Sequence, residues 1–221
     1  MSDTTTKEAV KDADRAPAAK AGSGDAANGL SRRRLESRRK LIAAARQLFV
    51  ERGYHATRPQ DISKLAGVGH GTFYLHFTDK LDCFLTFADE VCDELEVVLQ
   101  DHLGRARNVE ESVKETLYAI YEYSDANPGV LAAAMTNTAM LSVEETKRRS
   151  PMERWAGQWT EMVLQWRAEK DITSDVDPLL SGHLIVGAIS QGMAYGYLYQ
   201  VDRDKLINDI AQALFGALTR Q

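Results

Sequence analysis

The stretch Gly67-Val68-Gly69-His70-Gly71-Thr72-Phe73-Tyr74-Leu75-His76-Phe77-Thr78-Asp79-Lys80 decides the fold. Phe73 and Phe77 stand four apart, so a helix over about His70 to Phe77 turns both inward while Thr72, Tyr74 and His76 point elsewhere. Gly67 closes the preceding element in a tight turn, and Thr78-Asp79-Lys80 caps the next helix. Just upstream, Thr57 precedes Arg58, Pro59 and Gln60: a hydroxyl for the N-cap, a proline in the first turn and a capping-box glutamine three residues on. That pattern predicts a second short helix with Ile62, Leu65 and Ala66 buried. Two short helices joined by a glycine-containing turn form a helix-turn-helix.

Further upstream, Leu41, Ile42, Ala45, Leu48 and Phe49 recur at i, i+1, i+4, i+7 and i+8, one face of an amphipathic helix. Gly53 stands where a helix C-terminal glycine belongs, and Arg46 and Arg52 favour the negative end, so the first helix is expected over about Glu36 to Arg52. Residues 1–30, rich in Ala, Asp, Lys, Gly, Ser and Thr without a sustained apolar period, read as a disordered tail.

Charge divides along the same lines. Residues 31–80 hold eleven Lys/Arg against four Asp/Glu, whereas residues 81–221 hold twelve against twenty-three. A basic segment joined to an acidic one is the asymmetry of a chain in which one part meets a polyanion. The 221 residues are 44% hydrophobic and 27% charged, which suits a soluble globular protein and excludes a fibre. Cys83 and Cys92, nine apart in one helical stretch, are too few for a disulfide framework and wrongly spaced for zinc, so a reducing, cytoplasmic compartment is expected and no metal. The first thirty residues show neither a secretory signal nor a membrane anchor, and no run approaches eighteen apolar residues. No nucleophile elbow, phosphate loop or HExxH motif is present, so no enzyme and no cofactor are expected.

The opening stretch closely resembles the recognition-helix signature of the TetR family of transcriptional regulators. The likeness extends through Leu41-Ile42-Ala43-Ala44-Ala45, Leu48-Phe49, Gly53-Tyr54, Ala56-Thr57, Asp61-Ile62 and Leu65-Ala66-Gly67-Val68, covering about Glu36 to Phe84. It implies an all-α fold, with a three-helix DNA-binding domain at 31–80 and a larger helical effector-binding and dimerisation domain at 81–221. It also implies a ligand-responsive repressor that binds a palindromic double-stranded operator as a homodimer. The alternative is a helical interaction module that uses the helix-turn-helix only for packing. Gly69 departs from the family pattern, replacing the usual Ser or Thr cap of the recognition helix.

A recognition helix enters the major groove with its N-terminal residues nearest the bases. His70, Thr72 and Leu75 are therefore the candidates to meet base edges, and Gly71 lets the helix start come close. Tyr74, His76, Thr57, Arg58 and Lys80 are candidates for phosphate contact. The basic arm of Arg32, Arg33, Arg34, Arg38 and Arg39 can track phosphates or enter the minor groove.

After Lys80 the sequence reads as helices alone, with no period-2 alternation: about 81–103, 109–127, 130–141, 144–170 broken near Ser150 by Pro151, 177–200, and a last one capped by Asp202 or Asp204. Tyr118, Tyr121, Met135, Trp155, Trp159 and Met162 are the candidates to line a cavity for a small apolar effector, with Thr136, Asn137 and Gln158 as polar partners and Met140 beside them. The helix from Asp177 is apolar nearly all round, which requires burial on more than one face. Leu184, Gly187, Ile189 and Gly192, with Leu206, Ile210 and Leu214 of the last helix, are the expected dimer interface; His183 reads as an interface or core histidine.

Overall fold

In a computed structural model the described residues are 23–135, 141–169 and 172–219, with side chains from Ser31. The described residues divide into two units, one ending at Glu36 and the other beginning at Ser37. The expected tail lies outside the described residues up to 22. From Ser23 the backbone is helical, so α1 (Ser23–Ala56) begins well before Glu36. Its helical geometry breaks at Gly53, at φ 74°, where the sequence placed the end.

In the second unit Leu41, Ile42, Ala45, Leu48 and Phe49 are all buried. α2 (Pro59–Leu65) and α3 (His70–Tyr74) follow, joined through Gly67 at φ 66°, a left-handed turn that a side chain would strain. The capping expected of α2 does not form: Arg58 is its N-cap, without a side-chain hydrogen bond. Leu65 is 45% exposed and Ser63 takes the buried place instead. α3 is shorter than expected, although Phe77 still donates its N–H to the Phe73 carbonyl and both rings are buried, 5.3 Å apart.

Asp79 caps α4 (Lys80–Leu103), accepting from the Asp82 N–H, while the Asp82 carboxylate accepts from the Thr78 N–H. α4 opens in the aromatic core of the helix-turn-helix, where Phe84 meets Phe49 at 5.3 Å and Tyr54 at 5.1 Å. Its 24 residues span about 36 Å at 1.5 Å each. Arginines from three other helices line up on its acidic side. Arg46 grips Glu94 through both carboxylate oxygens and reaches Tyr123 and Asn127. Arg149 meets Asp82 at 3.1 Å, and Arg154 meets Asp93 and Glu96 at 2.7 and 2.6 Å.

α5 (Val109–Ala126), α6 (Val130–Met135), α7 (Val143–Arg149) and α8 (Pro151–Glu169) follow, with the break at Ser150 that Pro151 announces. α9 (Pro178–Tyr199) and α10 (Arg203–Thr219) complete the all-α fold, and Asp202 accepts from the Lys205 N–H as expected. No strand occurs among the described residues.

α9 packs against α8 at Gly182, where an added Cβ would lie 2.3 Å from the Ala156 carbonyl oxygen. Much of the expected dimer interface is engaged inside the chain. Ile189, Leu206 and Leu214 are buried, and a Cβ on Gly192 would sit 2.4 Å from Ile210 Cδ1. These residues join α9 to α10 of one chain, because a helix apolar all round does not reveal which face its own neighbours take. Leu184 and Gly187 stay on the outer face with exposed Leu180, Tyr195 and Leu198. His183 is half-buried, 3.6 Å from Glu153 of α8.

Candidate nucleic-acid interface and effector cavity

Phe73 fixes α3 from beneath, and the opposite face carries His70, Gly71, Tyr74 and Leu75, all exposed, with Thr72 half-buried beside them. Tyr74 is 52% and Leu75 70% exposed, high values for large side chains on a short helix whose other face is core. His70 leans edge-on to Tyr74, with ring centres 5.3 Å apart. A Cβ on Gly71 would meet nothing within 4 Å, so the fold itself makes no demand for glycine there. Arg58 is exposed at the start of α2, and so are Gln60 and Lys64. Lys64 was not among the sequence candidates; its position opposite Ile62 on a seven-residue helix was the available signal.

Four expected contacts have other work in the chain. Thr57 is fully buried, and its hydroxyl donates to the Gly53 carbonyl at 2.8 Å and lies 3.2 Å from that of Leu48, so it braces the end of α1 rather than facing a phosphate. Replacing Thr57 with valine keeps the shape and removes the hydroxyl, and is expected to cost about 1 kcal/mol of stability. DNA affinity should be unchanged where the variant is folded; a large affinity loss in a variant of normal melting temperature would restore Thr57 as a contact.

Lys80 donates to the Tyr54 carbonyl at 2.9 Å with its ammonium 4.2 Å from the Tyr54 ring centre, and burial pulls its pKa down. Arg38 lies over Phe77 at 5.4 Å and reaches Glu90 at 3.9 Å. His76 is half-buried with Nε2 at 2.7 Å from Ser37 Oγ. Arg32, Arg33 and Arg34 of the expected basic arm are exposed helical residues of the first unit.

Beyond this head, a cavity of about 1300 Å³ opens among α4, α5, α6, α8 and α9. Tyr121, Met135, Trp155, Trp159 and Met162 line it as the sequence suggested, with Gln158. Tyr118 does not: its hydroxyl is 3.4 Å from Asp204, beside a smaller polar hollow. Thr136, Asn137 and Met140 lie outside the described residues. The C-terminal half of α4 contributes Leu95, Leu99 and Leu103 to the wall, so one helix runs from the head to the cavity. The Trp155 indole N–H is buried, and no group among the described residues accepts from it.

In the polar hollow His102 at the end of α4 sits between two carboxylates of α5, with Nδ1 2.8 Å from Glu115 and Nε2 2.9 Å from Glu122. Burial works against the imidazolium, but the bonds to Glu122 and Glu115 outweigh it and raise the pKa above 6.5. The folded chain therefore keeps a proton that the unfolded chain releases. The stabilisation is complete below the ordinary value and fades as pH rises through the folded one. His102→Gln is expected to flatten the fall in stability between about pH 6 and 8. Urea melts with the same pH slope in both proteins would contradict this.

No three metal-ligating side chains converge among the described residues, and no described helix is long and apolar enough to cross a membrane.

Residues 41–86, the segment just described around α2 and α3, match the bacterial regulatory proteins, tetR family. This segment is what the chain shares with that family. The chain is 36% identical over 78 residues to the transcriptional regulator TtgR of Pseudomonas putida, covering 35% of each chain. It is 30% identical over 88 residues to the transcriptional activator FasR of Mycolicibacterium smegmatis, covering 40% of each. The chain thus spans two fifths or less of the length of these two relatives. The fold likeness reaches further. The regulator FadR of Bacillus subtilis, solved in complex with stearoyl-CoA, superposes with a TM-score of 0.67 at 19% identity, over 80% of this chain and 97% of that one. FadR of Bacillus halodurans gives 0.65 at 22%, over 84% and 97%. TtgR and FasR are regulators of transcription.

Proposed function

We propose that the chain is a sequence-specific DNA-binding regulator that acts as a homodimer and is released from its operator by a small molecule. The observation that carries the reading is α3: core on one side through Phe73, and on the other an exposed row of His70, Gly71, Tyr74 and Leu75 on the basic part of the chain. Residues 31–80 form the head and residues 81–221 the effector and dimerisation part. His70, Thr72 and Leu75 read bases; Arg58 and Tyr74, with Lys64, hold phosphates. One five-residue helix reads few base pairs, so two-fold pairing is needed for a selective site. Leu180, Leu184, Tyr195 and Leu198, the outward apolar stripe of α9, supply the surface for that pairing.

Control follows from α4. Because its first turns are core to the head and its last turns wall the cavity, a ligand that prefers one placement of α4 shifts the spacing of the two heads. Selection of genomic fragments by the purified protein tests the reading. It is expected to enrich an inverted repeat whose half-sites lie about one helical turn, or multiples of it, apart. Enrichment of no common sequence would sink it.

A further inference from the structure

The cavity is larger than the roughly 300–1,000 Å³ of common ligand sites, and its charges carry information about what fills it. Among the described residues three carboxylates line it, Glu96, Asp125 and Glu161, against a single cation, Arg203. Glu96 is held by Arg154 at 2.6 Å and Gln158 at 2.7 Å. Asp125 is held by Arg203 through both oxygens at 2.7 and 3.0 Å, and the same guanidinium lies 4.3 Å from the Tyr121 ring centre. Glu161 has no ion pair among the described residues. The adjoining polar hollow shares Tyr121, Asp125 and Arg203 with the cavity and adds no surplus of cations: Arg105 is bound to Asp101, and His102 lies between Glu115 and Glu122. No lysine lines either space among the described residues.

An anionic head would have to displace Asp125 from a bidentate partner, in a wall that also carries Glu161. A polyphosphate head, which is ordinarily held by several Arg or Lys side chains, would find none to spare among the described lining residues. A cation meets the opposite situation, an unpaired carboxylate on an exposed residue of the wall and the aromatic side chains of Trp155, Trp159 and Tyr197. Met135, Met152, Met162 and Met193 make the remaining wall soft and adaptable to a long apolar body. We propose that this cavity takes an elongated, mostly apolar molecule bearing one positive charge, and not an acyl-coenzyme A. The inference rests on the effector role proposed above, and it separates this chain from the fold neighbour solved with stearoyl-CoA.

Dodecyltrimethylammonium and dodecanoate, which share an apolar tail and differ in charge, test it alongside stearoyl-CoA, each below its micelle concentration. Calorimetry and quenching of tryptophan fluorescence read binding, since Trp155 and Trp159 line the cavity. The cation is expected to bind about tenfold more tightly than dodecanoate, with no saturable binding of stearoyl-CoA. Glu161→Gln should narrow the gap between the two dodecyl probes to about threefold. Dodecanoate or stearoyl-CoA binding as tightly as the cation would overturn the charge assignment and leave the effector role standing. Failure of all three probes to bind would overturn both, without touching the DNA-binding reading.

Discussion

Gly182→Val is expected to destabilise the protein by about 3 kcal/mol, at the upper end of what overpacking a core costs. A Cβ at this position would lie 2.3 Å from the Ala156 carbonyl oxygen, 2.5 Å from Thr160 Oγ1 and 3.0 Å from the Thr160 N. Two of these are backbone atoms of α8, and the Thr160 hydroxyl already donates to the Ala156 carbonyl at 2.7 Å, so no flexible chain end can yield. Relief requires α8 to move off α9, which also disturbs the cavity wall at Trp155 and Trp159. Gly157→Ala is the matched control. It lies on α8 with nothing within 4 Å of the added Cβ, and should gain about 0.5–1 kcal/mol from helix propensity. Denaturant melts of the two variants check both signs; a valine at 182 tolerated within about 1 kcal/mol would mean that α8 and α9 do not meet in this way.

Gly71→Leu is expected to leave stability within about 1 kcal/mol of the parent and to cost about 3 kcal/mol, more than a hundredfold, in specific DNA affinity. The chain has open space at Gly71, so the fold accepts a side chain there. A groove approached by the start of α3 does not, because a bulky residue between His70 and Thr72 holds both away from the base edges. His70→Ala and Thr72→Ala should each cost about 1–3 kcal/mol and relax the preference at only one or two base pairs. Melting curves and operator titrations on the same preparations separate the effects. Full affinity in Gly71→Leu would show that α3 does not enter the groove by its N-terminus.

The head was readable because its signals are local. Gly53 and Gly67 punctuate the helices where left-handed backbone demands them, and the Leu41-to-Phe49 pattern and the Phe73/Phe77 pair each name their own buried face. The break at Ser150-Pro151 was legible for the same reason. What sequence misjudged depends on partners distant in the chain. Thr57 has the residue type of a cap or a phosphate contact, and only the Gly53 and Leu48 carbonyls beside it settle its task. Lys80 and Arg38 look like surface cations until Tyr54 and Phe77 come under them. Tyr118 and Tyr121 are three apart on α5 and both border the polar hollow beside α10, yet only Tyr121 also lines the cavity, a difference that needs the packed neighbours to be seen. α9 offers no amphipathic contrast, so which of its apolar faces turns to α10 had to come from packing.

The central claim is that α3 reads sequence, and competition binding tests it most directly. Fluorescence anisotropy with a selected operator fragment, at about 0.15 M salt and in excess nonspecific duplex, separates base reading from phosphate attraction. Competitor-resistant binding, at a stoichiometry of two chains per inverted repeat or a multiple of it, is the predicted result. Binding that the nonspecific duplex abolishes, or that is indifferent to scrambling the repeat, would contradict it and leave the helix-turn-helix as a packing unit.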